Sequence, residues 1–191
     1  MRKTCFVVLV LLVLSMAVSC ASSGSAPPAQ SGLPDIVRSG RRNAPEDVLV
    51  GIGSAKMATQ NQSKTMAETR ARAEITRAMN SMIDNMVRDY EAGSEIDHSA
   101  ALSFQEDITV ALASARLQGA RIVDEDYIDG TYYVVMYMGK SSVVQEINQA
   151  AAASKLNAPF SASLLAEQRM NAAFDRQAAA EKADTNRVLG E

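Results

Sequence analysis

The dipeptide Asp129-Gly130, placed between two strand-like segments, constrains the fold of this chain more than any other feature. Asp-Gly is a preferred two-residue turn in β-hairpins. The flanking segments, Arg121–Ile128 and Thr131–Met138, have the length and the β-branched and aromatic content of strands. Because strand side chains alternate between faces, we expect the second strand to carry Tyr132, Val134, Met136 and Met138 on one face and Tyr133, Val135 and Tyr137 on the other.

A third strand is predicted at Val48–Ala55, whose alternating apolar residues are Val48, Val50 and Ile52. Gly51 and Gly53 interrupt this segment. Glycine inside a strand predicts either a β-bulge or the close approach of another backbone. The segment before it, Pro34–Asp47, contains two prolines and an apolar pair, and we expect a loop there.

The longest regular element is a helix predicted from about Asn61 to Tyr90, with apolar residues at helical spacing. Thr65 and Glu68 fit a capping box, and Asn61 or Ser63 are alternative starting points. Several methionines lie in the apolar stripe of this helix. Flexible thioethers fill irregular cores as well as binding grooves, and the isoleucines in the same stripe favour the core.

Three further helices are predicted by the same spacing. The first runs from a Ser99 cap to about Arg116, and the second covers Val143–Leu156 with Ser142 and Gln145 as its cap. The last is an Ala-rich helix at about Ala162–Asp184 with a narrow apolar stripe. It either packs on the domain or serves as an arm that binds a partner.

These elements predict an α+β fold. Its centre is a small three-stranded, largely antiparallel sheet. A long helix and further helices cover one face of that sheet, and the Ala-rich helix follows at the C-terminus.

The first 19 residues have the three parts of a secretory signal. Arg2 and Lys3 precede the apolar run Phe6–Leu14, and small residues lead up to Cys20. The run is about half of the roughly 20 residues that a transmembrane helix needs. This leader resembles a bacterial lipoprotein signal, which implies cleavage between Ser19 and Cys20 and lipidation of Cys20. The alternative is an ordinary signal that is cleaved nearby.

The predicted organisation follows from this leader. Residues 1–19 form the signal peptide, 20–33 a lipidated flexible tether, 34–157 the α+β domain, and 158–191 the C-terminal helix and tail. The tether is rich in Ser, Gly and Pro, and its 13 residues after the cysteine reach roughly 20 Å as a flexible coil. Ala21 stands where Asp would act as a retention signal in some bacteria, which favours the outer membrane.

The composition limits the disulfides and the classes of binding partner that can be expected. Cys5 is lost with the leader, so Cys20 is the one cysteine of the mature chain and no internal disulfide is expected. A membrane is the expected partner through the lipid anchor, together with an envelope protein. The mature chain has 17 basic and 22 acidic residues without a basic stripe, so no nucleic-acid binding is expected.

Two glycine-containing motifs imitate nucleotide-binding loops without completing them. Gly51-Ile52-Gly53 begins like a dinucleotide fingerprint, but Lys56 occupies the position of the third glycine. Gly139-Lys140-Ser141 imitates the end of a phosphate loop, but Val134 occupies its first glycine position. No cofactor is therefore expected.

The remaining polar residues do not assemble a catalytic or metal site. Asp124, Glu125, Asp126 and Asp129 form an acidic cluster, which strand alternation would divide between two faces, so we interpret it as solvated. His98 is the single histidine, which excludes a His-rich zinc site. The tyrosines of the hairpin are interpreted as cross-strand packing, with an interaction surface as the alternative.

Several motifs together resemble the Lpp-twenty family of small bacterial surface lipoproteins. They are Pro34-Asp35-Ile36-Val37, VLVGIGSAK from Val48, KTMAETRARAEI from Lys64, Leu117-Gln118-Gly119, and IVDEDYIDGTYYVVMYM from Ile122. The N-terminal domain of flagellar assembly protein T has a similar layout. The resemblance covers Pro34 to about Ala152, and Ile36 stands where the family usually has Trp. It implies an outer-membrane or surface lipoprotein without known enzymatic activity and supplies no catalytic residues.

Three functions remain open on the sequence alone. The first is a lipid-anchored envelope lipoprotein with a non-catalytic structural, assembly or protein-interaction role. The second is a tethered small-ligand binder with a pocket near Gly51–Ser54. The third is an enzyme built around His98, for which no supporting cluster is visible, so no enzymatic activity is expected.

Overall fold

Three antiparallel strands form the sheet, in the order β1-β3-β2. The computed structural model describes residues 33–93, 98–115, 117–153 and 165–189. The strands are β1 (Val48–Ala55), β2 (Ala120–Ile128) and β3 (Thr131–Gly139). The helices of the described ranges are α1 (Asp35–Arg42), α2 (Gln60–Gly93), α3 (His98–Ser114), α4 (Lys140–Ala153) and α5 (Glu167–Leu189). The α+β class and the antiparallel sheet are as predicted.

The β2–β3 hairpin confirms the prediction made from Asp129-Gly130. Ile128 pairs with Thr131, and the two turn residues have φ angles of 51° and 80°. Positive φ at both central residues is what a type I′ turn requires, and its twist matches that of the strands. The predicted faces of β3 are also confirmed, because its even-numbered residues from 132 to 138 lie in the main core and its odd-numbered ones in a second cluster.

The two glycines of β1 mark a close approach of helix α2, not a bulge. The β1–β3 register runs without interruption from Val48 opposite Gly139 to Ala55 opposite Tyr132. A Cβ atom added to Gly53 would lie 2.6 Å from the backbone nitrogen of Ala71 and still closer to the Ala67 carbonyl oxygen. The helix therefore packs with its backbone almost directly on the strand.

The main core lies between one sheet face and helices α2 to α5. Its largest fully buried side chains come from helices α2, α3 and α5, from two strands and from the segment before β2: Leu49, Ile75, Met79, Met82, Ile83, Phe104, Ile108, Leu112, Leu117, Met136, Met138 and Phe174. Helix α4 contributes the fully buried Val143 and Ile147. Met79, Met82 and Met86 of α2 belong to this core, as predicted, whereas Met66 near the start of the helix is exposed. The apolar residues at helical spacing in α3, Ala101, Phe104, Ile108 and Leu112, are fully buried as well, and Ala115 just beyond the helix is partly buried.

The second sheet face carries a smaller cluster under helix α1. Pro34–Asp47 was predicted to be a loop, and this is wrong: residues 35–42 form a helix that buries Ile36 and Val37 against Val135. The apolar pair and Gly40 share one face of this helix, so its stability comes from tertiary packing more than from propensity. The Tyr137 hydroxyl also donates to the Gly40 carbonyl oxygen at 2.7 Å.

The long helix begins within one residue of its predicted start at about Asn61, but the predicted capping box is wrong because the polar residues near it have other hydrogen bonds. Helix α2 begins at Gln60, and the Thr59 hydroxyl accepts from the Gln62 N–H at 3.3 Å. Ser63 is fully buried; its hydroxyl accepts from the Met57 N–H and donates to the Thr59 carbonyl oxygen. Thr65 lies inside the helix and donates to Asn61, so it forms no capping box.

Helix α4 follows β3 without a loop. Lys140, its first residue, comes directly after Gly139, the last residue of the strand. The Lys140 N–H donates to the Asp47 carbonyl oxygen at 2.9 Å, just before β1. The predicted cap at Ser142 and Gln145 is therefore wrong, since both residues lie within the helix. The cap predicted at Ser99 is likewise one residue inside α3.

The C-terminal helix α5 packs on the domain, which decides between the two alternatives stated for it. Met170, Ala173 and Phe174 are at most 2% exposed and join the main core. All described elements belong to one compact unit, Pro34–Glu191. Among the described helices, none combines the length and hydropathy needed to cross a membrane.

Candidate functional site

The residues of the predicted lipidation site, Ser19 and Cys20, lie outside the described residues, as do the rest of the leader and most of the tether. Their assignment stays a prediction. Among the described residues, a candidate site is a groove at the outer edge of β1.

The groove lies between α1 with its following loop, β1, and α5. Its volume is about 470 Å³, within the range of small-molecule sites in proteins. Val48 and Val50 contribute to its lining from β1. The remaining lining residues come from the two flanking segments: Arg41, Arg42, Ala44, Pro45, Glu46, Asp175, Ala178, Ala179, Glu181, Lys182, Thr185 and Asn186.

Glu181 is the carboxylate of this groove that is held by neutral partners. Its Oε1 accepts from the Gln177 side-chain amide at 3.2 Å, and its Oε2 lies 3.5 Å from the Val50 backbone nitrogen. Burial raises the pKa of Glu181 above the usual carboxyl value, although the two hydrogen bonds and the charge of Arg41 act in the opposite direction. Loss of hydration is therefore the dominant effect on this group.

Glu74 occupies the neighbouring position along the β1 edge. Its Oε2 accepts from the Ile52 N–H at 2.6 Å, and its Oε1 accepts from the Arg41 guanidinium at 2.7 Å. Both oxygens of Glu74 are thus engaged. The pair is half-buried and ties α1, α2 and β1 together.

Side chains satisfy the outer edge of β1 in the place where another strand would pair. Glu181 and Glu74 accept from alternate backbone N–H groups, those of Val50 and Ile52, and the Arg70 guanidinium donates to the Ser54 carbonyl oxygen. Unpaired edge groups are templates for association with other strands. On this edge the two carboxylates and the arginine occupy these backbone groups, so the groups are not available to another strand.

Ion pairs surround the mouth of the groove. Lys182 pairs with Glu46 at 3.1 Å across it, and Lys140 pairs with Asp175 at 2.6 Å. The Thr185 hydroxyl, buried beside Glu181, donates to the Glu181 backbone carbonyl at 2.8 Å and not to its carboxylate. The groove is therefore an apolar trough whose polar lining is largely paired.

The predicted pocket near Gly51–Ser54 is displaced in the structure. Gly51 and Gly53 face α2, and the Ile75 side chain would lie 2.7 Å from a Cβ at Gly51. At these two glycines the strand is packed directly against Ala67, Ala71 and Ile75 of α2. The groove instead uses Val48 and Val50, on the opposite face of the same strand.

The acidic cluster of the hairpin divides between two faces, as predicted. Glu125 lies opposite Val134 on the α2 side, and its carboxylate pairs with Lys64 at 2.8 Å. This hydrogen bond raises the pKa of Lys64 and lowers the pKa of Glu125. Asp124 and Asp126 lie on the other face and accept from the N–H groups of the residues that follow them. Among the described residues, no group of three or more His, Cys, Asp or Glu side chains could hold a metal ion.

The hairpin tyrosines contribute mainly to packing. Tyr132 is buried, and its ring centroid lies 5.9 Å from that of Tyr127 at a tilt of 43°. Tyr133 and Tyr137 pack against the cluster under α1. Tyr127 is 42% exposed and lies on β2 with the exposed Ile122. His98 is the first residue of α3, and its side chain is outside what the structure describes.

Comparison with known proteins gives a weak structural likeness. No protein family and no curated protein matches the sequence. Among solved structures, the chain is similar to the secreted protein HP1454 from the human pathogen Helicobacter pylori, with a TM-score of 0.32 and 17% identity. The match covers 66% of this chain and 53% of that chain, so this chain spans about half the length of its neighbour.

Sequence reasoning missed the groove and a bulge in β2. Glu181 and Val50 are 131 residues apart in the sequence, and no local pattern indicates that they meet. In β2, the register shifts between Ile122 and Asp124, which leaves Val123 as an extra residue without a partner on β3. Neither glycine nor proline marks that bulge, so the sequence carried no signal for it.

Proposed function

We propose that this chain is a lipid-anchored lipoprotein of the bacterial envelope, of the outer membrane, with a non-catalytic structural, assembly or protein-interaction role. The observation that carries the proposal is the leader Met1–Ser19 followed directly by Cys20. A signal-like apolar run, small residues before the cysteine, and the absence of any other cysteine from the mature sequence all support lipidation at that position.

The tether and the resemblance to the Lpp-twenty family support the same proposal. The Ser-, Gly- and Pro-rich residues after Cys20 have too little apolar surface to offset chain entropy. A flexible tether of this length would keep the domain within roughly 20 Å of the bilayer. Two or more acyl chains anchor a protein stably, whereas one does not. We therefore propose a permanent anchor and a domain that is free to meet partners near the membrane surface.

The test is Cys20→Ala, with Cys5→Ala as its matched control. In the wild type and in Cys5→Ala, mass spectrometry should find a mature N-terminus at Cys20 that carries diacylglyceryl and acyl groups. Density-gradient fractionation should place both proteins with the outer membrane. Cys20→Ala should lack the acyl mass and leave the membrane fraction. An unmodified Cys20 in the wild-type protein, or a mature N-terminus elsewhere, would refute the proposal.

A second candidate function is a tethered binder of small ligands, and the groove favours it. The groove has the volume of a ligand site, an apolar lining from Val48 and Val50, and a desolvated carboxylate at Glu181. A thermal-shift screen of metabolites against the full chain tests this candidate. The candidate predicts a ligand that raises the melting temperature of the wild type and fails to do so when Ala178→Trp fills the groove.

A further inference from the structure

Equal numbers of cationic and acidic side chains line the groove. The ligand charge that the groove can bind therefore depends on which of these side chains are already paired with an opposite charge. Three cationic and three acidic side chains contribute: Arg41, Arg42, Lys182, Glu46, Asp175 and Glu181. A ligand charge gains from a lining group only when that group is not already neutralised by a neighbour.

Most of these groups already have a partner of opposite charge. Arg41 is held by Glu74 at 2.7 Å, and Lys182 is held by Glu46 at 3.1 Å. Asp175 is held by Lys140 at 2.6 Å. Arg42, at the exposed rim, is also engaged in an interaction. These groups offer a ligand little unless they give up an existing contact.

Glu181 differs from them. Within the described ranges, its carboxylate contacts an amide side chain and, at 3.5 Å, a backbone N–H, and neither carries a charge. Glu181 is half-buried, and a carboxylate that loses part of its hydration costs free energy unless a cation or several good hydrogen bonds compensate it. The Val50 contact is at the upper limit of hydrogen-bond distance, so the compensation is incomplete. A cationic donor placed in the groove would supply what this carboxylate lacks.

We propose that the groove binds a small ligand with one ammonium group and a short apolar part, with Glu181 as the counter-ion of the ammonium. The ammonium would take the open side of the Glu181 carboxylate, and the apolar part would lie on Val48, Val50 and Ala178. This proposal deepens the second candidate function and rests on it.

Binding of this ligand is linked to the protonation of Glu181. The charged or titratable groups around Glu181 are Arg41 and Arg42 on α1, Glu46 in the next loop, Glu74 on α2, and Asp175 and Lys182 on α5. Burial raises the pKa of Glu181, and an ammonium partner stabilises only its ionised form. The affinity for an ammonium ligand therefore falls when the pH is lowered through that raised pKa, while the affinity for a neutral ligand of the same size does not.

The experiment compares three probes of equal length: n-butylammonium, n-butanol and n-butyrate. Each is titrated into the full chain in detergent solution, and binding is followed by the NMR shifts of the Val48 and Val50 methyl groups. These methyls report on the groove directly, and each affinity is calculated from the concentration of probe that remains outside the detergent micelles. We expect n-butylammonium to give saturable shifts at neutral pH with an affinity about tenfold or more above that of n-butanol, since hydrogen bonds to charged groups exceed neutral ones.

Two variants with the same change of charge separate the carboxylate from its surroundings. Glu181→Gln should lower the affinity for n-butylammonium to that for n-butanol, whereas Glu106→Gln, at an exposed position of α3 that does not line the groove, should leave it within about twofold of the wild type. If Glu181→Gln does not fold, the loss of n-butylammonium affinity at low pH in the wild type serves as the same test.

The outcomes distinguish this proposal from the function on which it rests. Equal affinity for n-butylammonium and n-butanol, or a full affinity in Glu181→Gln, would overturn the role of Glu181. Preference for n-butyrate would overturn the ammonium assignment while leaving a small-ligand binder. The absence of any saturable shift with all three probes would overturn the assignment of this groove to small amines, and a hit in the metabolite screen would still support a binder.

Discussion

Substitution of Gly53 by alanine tests the closest contact in the fold. The added Cβ would lie 2.6 Å from the Ala71 backbone nitrogen and closer still to the Ala67 carbonyl oxygen. Ordinary non-bonded contact requires about 3.5 Å. Since both neighbours are backbone atoms of α2, a 34-residue helix, no side-chain rotation can relieve the clash. Helix and strand must separate by at least about 1 Å.

The expected cost follows from this separation. Overpacking of a well-packed core costs about 1–3 kcal/mol, and a clash with backbone belongs at the upper end. Alanine also lowers the conformational entropy of the unfolded chain, which raises the free energy of unfolding by about 0.4–1 kcal/mol. The net loss in the free energy of unfolding should be about 2 kcal/mol. For a domain of this size, that lowers the melting temperature by about 4–8 °C.

Urea unfolding followed by circular dichroism measures this loss, with Gly139→Ala as the matched control. Gly139 is a strand glycine of the same sheet, and a Cβ there would meet no atom within 4 Å. Gly139→Ala should therefore leave stability unchanged or raise it slightly. If Gly53→Ala is as stable as Gly139→Ala, the close packing of α2 on β1 is refuted.

Two other substitutions test the C-terminal helix. Phe174→Ala, at a fully buried position of α5, should lower the free energy of unfolding by about 3–5 kcal/mol. The control Val110→Ala, at a position that is 65% exposed on α3, should change this free energy by less than about 0.5 kcal/mol. Urea unfolding measures both effects. Glu181→Gln should raise stability at neutral pH, as followed by unfolding at pH 4 to 8. Because the folded state holds the Glu181 proton more tightly than the unfolded chain, wild-type stability should fall relative to Glu181→Gln as the pH rises from 4.5 through the raised pKa.

For each of these substitutions, a specific result would contradict the prediction. A Phe174→Ala protein as stable as Val110→Ala would mean that α5 is not part of the core. Parallel stability curves for wild type and Glu181→Gln across the pH range would mean that the carboxylate is not desolvated by the fold.

The sheet and the long helices could be predicted because their signals are local. Asp129-Gly130 fixes the turn of the hairpin, and the alternation of residues 132–138 follows from that turn. Gly51 and Gly53 of β1 were consistent with either a β-bulge or the close approach of another backbone. Which of the two occurs depends on the packing of helix α2, which begins several residues later in the chain. In each case the sequence pattern and the packing agree, as expected of a consistently encoded fold.

Helix α1 could not be predicted because its stability is tertiary. It has eight residues, three of them arginine, and isolated helices of that length are marginal in water. Ile36 and Val37 gain their stabilisation only when Val135 and Val50 lie beneath them. The predicted caps of the long helix were wrong for a related reason. Ser63 and Thr65 each had several possible hydrogen-bond partners, and tertiary packing selected among these partners.

The groove could not be predicted because it has no local signal. Its members come from segments near residues 41–50 and 175–186, which periodicity assigns to separate elements. Glu181 itself is one of many charged residues in an Ala-rich helix. Its burial depends on where that helix crosses the edge of β1, and the sequence does not specify this crossing.

The direct junction of β3 with α4 makes the chain sensitive to length at this point. One residue more in the strand reverses the face of every side chain after it, and one residue more in the helix rotates its apolar stripe by about 100°. At Gly139 and Lys140 there is no intervening loop to absorb either change. Val143, Ile147 and Ala150 keep their buried positions only while the count of residues from the Asp129-Gly130 turn is preserved. Insertions and deletions are therefore confined to other parts of the chain, whereas residues 131–150 can vary in kind but not in number.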